Sequence, residues 1–405
     1  MTSIPDLNIT EFDYELPTER IAFQPLDKRD ASKLMVIEHD NVQHGLYHQL
    51  SQYLPANTHL VFNNTKVIAA RLLFSNKNKG TIEVFLLEPL DGNYDALFKK
   101  NNTTWKCLIG GAKKWKDQQY LTKEIELNDE TITITVSLTE KARDYFLVTF
   151  NWKENYSFYE IIQAAGNTPL PPYIKRDTTA EDIKRYQTVY AKHEGSVAAP
   201  TAGLHFTDEL LTDLHQHGIK KSFLTLHVGA GTFKPVTTST IAAHTMHKEF
   251  FEVELETIIS LMESSSIIPV GTTSLRTLES LYWIGLKLFH GKSTLEAMNN
   301  LEQWEHIAWM QWEQSVPSTI FSHLQDLMKK ASMKKIHGHT GICITPGYKF
   351  NIAKGLITNF HQPQSTLLFI IAALLGDRWK SIYQTAIEQE YRFLSYGDGM
   401  LILMQ

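Results

Sequence analysis

The spacing of apolar residues changes period along this chain, and the changes divide it into parts. The first segment alternates turns with short elements and ends in HLVFNNTKVIAARLLF, residues 59–74, which reads as a strand. From about residue 70 to 150 short β-rich runs follow one another, TIEVFLLEPL, TWKCLIGGAKKWK, TITITVSL and DYFLVTFNW, separated by Gly, Asn and Asp turns. Helical spacing returns after residue 157 with SFYEIIQAAG, where Ser157 and Glu160 stand at the interval of a capping box. Beyond it, strands such as SFLTLHV (222–228) and SIIPVGTT (266–273) alternate with helices such as DELLTDLHQHG (208–218) and SLRTLESLYWIGLKLF (274–289).

This rhythm predicts a mixed α/β protein. A layered α/β main domain, residues 1–68 and 156–405, is interrupted by an inserted small β-barrel domain, residues 69–155. Residues 291–340 are less regular and form an atypical insertion holding Trp304, Trp309 and Trp312, whose commonest outcome is a helical hairpin that packs on itself. One stretch fits neither period. In GSVAAPTAGLHF, residues 195–206, Gly195, Pro200 and Gly203 interrupt any helix or strand, and the segment carries no formal charge, so it reads as a shaped loop.

Composition changes this picture little: 405 residues, 43% hydrophobic and 20% charged, are enough for a large core and two or three domains. The longest apolar runs, such as STLLFIIAALLG (365–376), fall short of the roughly 20 residues that span a bilayer, so no membrane span is expected. The polar, acidic N-terminal segment lacks the pattern of a signal peptide, and a cytoplasmic location is expected. Cys107 and Cys343 lie far apart and read as buried small side chains.

The net charge of −5 argues against indiscriminate polyanion binding, yet residues 95–123 hold seven lysines against two aspartates. Trp105, Trp115 and Tyr120 are interleaved with them, the composition expected where phosphates are neutralised and bases stack. Lys99, Lys100, Lys113, Lys114 and Lys116 are therefore candidate RNA contacts, with a solvated strand-and-turn surface as the alternative. The lysines at 329, 330, 334 and 335 read as the polar face of a helix.

Polar chemistry concentrates where strands run into loops. TLHVGAGTF (225–233) places His227 at a strand end, followed by Gly229 and Gly231, which allow close backbone approach; in open α/β sheets ligands bind outside such ends. VGTTSLRTLES (270–280) leads from a strand through a hydroxyl-rich turn into a helix carrying Arg276, a pattern suited to a carboxylate or to simple N-capping. TNFHQPQST (358–366) brings His361, and SYGDGM (395–400) brings Asp398 in a glycine turn. Although the chain has 17 histidines, its close pairs, His244 with His247 and His337 with His339, lack the spacing of a zinc site, and no metal is expected. There is no G-x-S-x-G elbow and no phosphate-binding P-loop.

Taken together, DYELPTERIA, VFNNTKVIAARL, GSVAAPTAGLHF, TLHVGAGTFKPV, VGTTSLRTLES, TNFHQPQSTL and YRFLSYGDGM closely resemble the S-adenosylmethionine:tRNA ribosyltransferase-isomerases of queuosine biosynthesis, in the same order and nearly end to end. The resemblance implies an α/β domain interrupted by a β-barrel. It implies transfer of the ribosyl part of S-adenosylmethionine, a co-substrate and not a cofactor, to 7-aminomethyl-7-deazaguanine (preQ1) at the tRNA wobble position. Isomerisation then gives epoxyqueuosine and releases adenine and methionine. The expected partners are S-adenosylmethionine and tRNA bearing that base, with the protein a monomer.

On this reading His227, His247 and His361 are candidates for proton transfer, with His205 behind them and Asp398 orienting a base or a ribose hydroxyl. Arg276 with Thr272, Thr273 and Ser274 is expected to hold the methionine carboxylate, and Asn63, Asn64, Lys66 and Arg71 to contact the target nucleotide. Thr201, Gly203, Phe206, Gly229, Gly231, Thr232, Asn359 and Tyr396 complete the expected substrate pocket. Thr345 stands where the family's pattern would place a tyrosine, and residues 291–340 are longer than usual. The alternatives are another S-adenosylmethionine-dependent RNA-modifying enzyme and a non-catalytic RNA-binding relative.

Overall fold

In the computed structural model, which describes residues 3–75, 80–115, 119–229, 231, 236–295, 299–312 and 315–404, the chain divides into two compact units. One comprises Met1–Asn64, Thr188–Ala191 and Pro200–Gln405; the other comprises Thr65–Gln187 and Lys192–Ala199.

The first unit is built on a ten-stranded mixed sheet, in the order Asn299–Leu301, Lys335–Thr340, Glu249–Glu254, Lys220–Leu226, Thr58–Asn63, Ser266–Val270, Gly355–Asn359, Gly399–Leu403, Lys33–Glu38 and Asn41–Leu46. Its four central strands, from Lys220–Leu226 to Gly355–Asn359, run parallel. All six residues of Thr58–Asn63 and all five of Gly355–Asn359 are buried, as parallel strands covered on both faces require.

Helix Thr272–Phe289 follows the strand Ser266–Val270 and is buried almost all round. It therefore lacks the usual exposed stripe, and the polar side chains inside it must find partners in the protein. A second core, with Phe62, Phe206, Leu210, Leu214, Ile268 and Leu401, gathers residues from the sheet and from helix Asp208–Gln216.

The second unit holds a seven-stranded antiparallel sheet, ordered Gly166–Asn167, Arg71–Ser75, Thr81–Pro89, Asn102–Gly110, Phe146–Asn151, Glu130–Lys141 and Leu121–Leu127. The sheet curls: Lys123 on one terminal strand donates through Nζ to the carbonyl of Ala165, next to the other terminal strand, at 2.7 Å. It is barrel-like, and among the described residues no ladder of backbone hydrogen bonds closes it.

Three expectations are corrected by these contacts. The single strand read at residues 59–74 is three, Thr58–Asn63, Thr65–Val67 and Arg71–Ser75, the first in the large sheet and the last in the curled one. The domain boundary at 155 is displaced, because helix Phe158–Ala165, with its Ser157–Glu160 capping box, packs Phe158 against Trp105 and Phe150 of the curled sheet at ring separations of 5.5 and 5.0 Å. Finally, Trp105 and Trp115 are buried, so of the three interleaved aromatics Tyr120 alone is exposed for stacking.

Residues 299–340 form strand Asn299–Leu301, the short helix Glu305–Trp309, helix Pro317–Lys330 and strand Lys335–Thr340. Helix Pro317–Lys330 packs inward through Ile320, Phe321, Leu324 and Met328. Thr345, further along the chain, is buried, and its hydroxyl has no hydrogen-bond partner among the described residues.

Several histidines are core residues. His59 bridges Ser264 Oγ (2.7 Å, Nδ1) and Ser222 Oγ (2.9 Å, Nε2), and burial lowers its pKa to about 4, with Lys220 adding to the shift. His306 is fully buried beside Trp283 and Tyr348, and burial likewise lowers it to about 4. Between about pH 6.5 and 4 the unfolded chain therefore binds protons that the folded one refuses, so this stability is complete above about 6.5 and is lost as pH falls. Thermal melts at pH 7.5, 6, 5 and 4.5 are expected to show a falling Tm, with a shallower fall in His59→Gln; an unchanged slope in that variant would remove His59 from the account.

Candidate functional site

Strand direction decides where the polar loops emerge. The carboxyl ends of Lys220–Leu226, Thr58–Asn63, Ser266–Val270 and Gly355–Asn359 lie along one edge of the large sheet, because these strands are mutually parallel. Gly399–Leu403 is antiparallel to Gly355–Asn359 and parallel to Lys33–Glu38, so both strands begin at that same edge. Antiparallel Glu249–Glu254 also begins there. The sequence-predicted segments around His227, Asn63, Thr272, Asn359 and Asp398 thus come together outside strand ends, where an open α/β sheet binds its ligand.

Hydrogen bonds tie neighbouring segments to each other along this edge. The Asn63 amide both donates to the Leu226 carbonyl (2.9 Å) and accepts from the Leu226 N–H (3.0 Å), and it donates to Thr273 Oγ1 at 3.3 Å. Asn64 accepts from Thr225 Oγ1 at 2.7 Å. Gly271 turns from strand to helix at φ 90°, a left-handed conformation suited to glycine, and helix Thr272–Phe289 starts there with no side-chain cap. Ser274 Oγ, one turn in, is buried without a hydrogen-bond partner among the described residues.

The uncharged loop 195–206 changes unit between Ala199 and Pro200. In its first-unit part Gly203 is required by close packing, since a Cβ there would lie 2.0 Å from Tyr190 Oη and 2.9 Å from Thr188 Cγ2. Overpacking of that kind costs about 1–3 kcal/mol. Phe206 is a correction: it is fully buried against Phe62, at a ring separation of 5.0 Å, and serves the core instead of lining a pocket. Ala202 approaches Gly271, so this first-unit part of the loop meets the strand-to-helix turn.

His205 stacks on Tyr47 with ring centroids 4.1 Å apart, and its Nε2 accepts from Asn359 Nδ2 at 3.1 Å. Burial, reinforced by the Arg392 charge, lowers its pKa to about 3 despite a hydrogen bond with the Arg29 backbone. His361 Nε2 meets Thr358 Oγ1 at 3.0 Å, while Tyr383 Oη accepts from its N–H at 3.1 Å and Tyr14 Oη donates to its carbonyl. Burial lowers His361 to about 3 as well. Both rings are neutral at physiological pH.

His227 is buried at the end of its strand, with its backbone N–H donated to the Phe250 carbonyl (2.9 Å) and its ring stacked near Phe250 at 6.0 Å. His247 is exposed but reaches the same turn: a Cβ at Gly231 would lie 2.4 Å from its Cδ2. A Cβ at Gly229 would face open space. Thr232 lies outside the described residues.

Four expected roles meet competing partners. Arg276 is buried, and its guanidinium donates to Glu249 Oε2 and to the carbonyls of Ile342 (3.3 Å) and Thr340 (3.5 Å), so it stands paired within the protein. Asp398 accepts the backbone N–H groups of Lys33 (3.0 Å) and Arg392 (2.8 Å), which makes it a brace between segments. Lys66 pairs with Glu194 at 3.2 Å, and Arg71 with Glu83 at 2.8 Å. These last two belong to the second unit and Asn63 and Asn64 to the first. Tyr396 is buried in the loop before Asp398.

In the second unit Lys99, Lys100, Lys113 and Lys114 are exposed, with Lys99 4.0 Å from Asp91; Lys116 lies outside the described residues. Among the described residues no group of three His, Cys, Asp or Glu side chains converges as a metal site requires.

Residues that the sequence reading missed are Glu249, Tyr47, Tyr14, Thr358 and Tyr383. Glu249 carried a readable signal: in EFFEVE it is in phase with Phe251 and Val253, both buried, so it occupies an inward position where a carboxylate needs a partner. The tyrosines act through contacts far away in sequence, which no local pattern encodes.

Comparison with known proteins bears on the family. The profile of a family described as queuosine biosynthesis protein matches residues 9–402. An S-adenosylmethionine:tRNA ribosyltransferase-isomerase from Thermotoga petrophila is 37% identical over 98% of this chain and 100% of its own length. Proteins of the same name from Thermotoga maritima and Natranaerobius thermophilus are 36% and 37% identical, each over 98% of this chain and over 100% and 99% of their own lengths. A solved structure of S-adenosylmethionine tRNA ribosyltransferase from Thermotoga maritima is 27% identical, covers 97% of this chain and 100% of its own, and superposes with a TM-score of 0.46. With a family profile spanning almost the whole chain and relatives above one-third identity over their full lengths, this chain belongs to the queuosine biosynthesis protein family.

Proposed function

We propose that this protein is an S-adenosylmethionine:tRNA ribosyltransferase-isomerase. It transfers the ribosyl part of S-adenosylmethionine to preQ1 at the tRNA wobble position and isomerises it to epoxyqueuosine, with release of adenine and methionine. The observation that carries this reading is the convergence of the family's polar segments on one edge of the large sheet, in a chain that matches the family over residues 9–402. In the same reading it works in the cytoplasm as a monomer, with S-adenosylmethionine as co-substrate and no further cofactor. Among the described residues no helix is long and apolar enough to cross a membrane.

The chemistry assigns work to the edge. A sulfonium acidifies the adjacent 5′ carbon, so a base must take a proton there, and departing adenine needs an acid. Burial holds His205 and His361 neutral with pKa values near 3, which argues against either storing the proton that adenine requires and makes both weak bases as they stand. His227, two residues before Gly229, and His247, beside Gly231, are the remaining candidates for that donor. Since Arg276 is engaged by Glu249, the methionine carboxylate is assigned to the uncapped start of helix Thr272–Phe289, where backbone N–H groups and the Thr272 and Thr273 hydroxyls are the available donors.

Purified protein given S-adenosylmethionine and tRNA bearing preQ1 is expected to release one adenine per epoxyqueuosine formed, measured by chromatography and nucleoside mass. Release of S-adenosylhomocysteine would instead identify a methyltransferase, and tRNA binding without turnover a non-catalytic relative. For the tRNA surface, Lys113→Glu combined with Lys114→Glu is expected to weaken tRNA binding and to flatten its dependence on log salt by about 0.7–0.9 for each phosphate no longer neutralised. Parental affinity and slope in that variant would return the patch to ordinary solvated surface.

A further inference from the structure

The Arg276–Glu249 pair sits at the intersection of four segments. Glu249 opens strand Glu249–Glu254, and both side chains are almost wholly buried, each residue 5% exposed. One Glu249 oxygen, Oε2, accepts from Arg276 Nη1; the other, Oε1, accepts the N–H of Gly229 at 3.2 Å. The remaining Arg276 donors hold the carbonyls of Thr340 and Ile342, at the end of the neighbouring strand. One carboxylate therefore fixes both the turn that follows His227 and the second turn of the helix that begins at Thr272.

Stability alone does not explain a charge pair in this position. Replacing a buried ion pair by apolar residues of similar volume is often neutral or stabilising, whereas removal of one partner strands a buried charge. What an apolar pair cannot supply is an acceptor for the Gly229 N–H. Among the described contacts, His227 N–H is donated to the Phe250 carbonyl (2.9 Å) and Gly229 N–H to Glu249. Loss of Glu249 removes the second of these.

We propose that Glu249 is a positioning residue of this enzyme: through Gly229 and Arg276 it sets the His227–Gly229 segment against the start of helix Thr272–Phe289, and so aligns the reacting groups without touching substrate. The proposal rests on the reading of that turn as part of the S-adenosylmethionine site.

The test is steady-state adenine release with preQ1 tRNA by three enzymes, with melting temperature measured on each. In the double variant Glu249→Met with Arg276→Met the buried charges go together, so a folded protein is expected whose Tm is lowered only by the unpaired Gly229 N–H and the Thr340 and Ile342 carbonyls. Its kcat is expected to fall by about 100-fold, the scale of a misplacement near 1 Å, with KM for S-adenosylmethionine within about threefold of parental. Glu249→Gln, whose carbonyl oxygen can still serve Gly229, is expected to recover part of that loss. Parental kcat in the double variant would overturn the proposal and leave the pair a structural one. A raised KM with kcat intact would also overturn it, because it would make Arg276 a ligand of the substrate carboxylate. The third enzyme, His227→Asn, checks the underlying reading: a parental rate there removes the turn from the reaction, while a large loss there beside a parental double variant refutes the role of Glu249 alone.

Discussion

Parallel pairing of the four central strands is the constraint on which the rest of this molecule depends. Strands that run the same way must each return by a crossover, so every forward turn leaves from one edge and every return arrives at the other. The turns after Leu226, Asn63, Val270 and Asn359 therefore meet although they are scattered over most of the sequence. The mixed outer strands extend the same edge, because antiparallel Glu249–Glu254 and Gly399–Leu403 begin where their neighbours end. Site chemistry follows from ladder direction before any side chain is considered.

The interior that results is unusually polar for a core, and each charge in it is handled locally. Helix Thr272–Phe289 has no exposed face to spare for Arg276 or Glu279. Arg276 is met by Glu249. Glu279 accepts from the N–H groups of Asn351, Ile352 and Ala353 and from the Tyr348 hydroxyl (2.9 Å), which itself accepts from Trp283 Nε1. Burial pushes the Glu279 carboxyl upward, while these donors pull it down. An unpaired charge in either place would cost several kcal/mol, which ties the helix to its neighbours as firmly as its apolar side chains do.

How much of this was legible in the sequence depended on whether the signal was local. Alternation and helical spacing located Phe158–Ala165 with its capping box, the strands ending near Leu226 and Val270, and the helix after Gly271. The single strand read at 59–74 failed because it ran through the polar Asn63–Lys66 stretch and through Ile68–Ala70, an apolar run that gives no local sign of a break, where the chain passes from one sheet to the other. Lys66 and Arg71 looked like nucleotide contacts beside Asn63, yet each has an acidic partner within its own unit. Trp105 and Trp115 looked like stacking platforms because spacing with lysines cannot tell an inward ring from an outward one. The segment around Arg276 was legible as a polar turn into a helix, but the role of that arginine turned on Glu249, an inward carboxylate whose partner no short motif names.

The charges along this edge bear on one physical account of the proposed reaction. Proton removal next to a sulfonium by a neutral imidazole leaves a carbanion beside the positive sulfur and a new cation on the protein, so the sulfur holds the one and the protein must hold the other. The buried ions of this edge are already compensated, Arg276 by Glu249 and Asp398 by Arg392 and backbone N–H groups. A carboxylate left unpaired in the same place would hold the sulfonium more tightly in the ground state, and binding that is not strengthened in the transition state does not raise kcat.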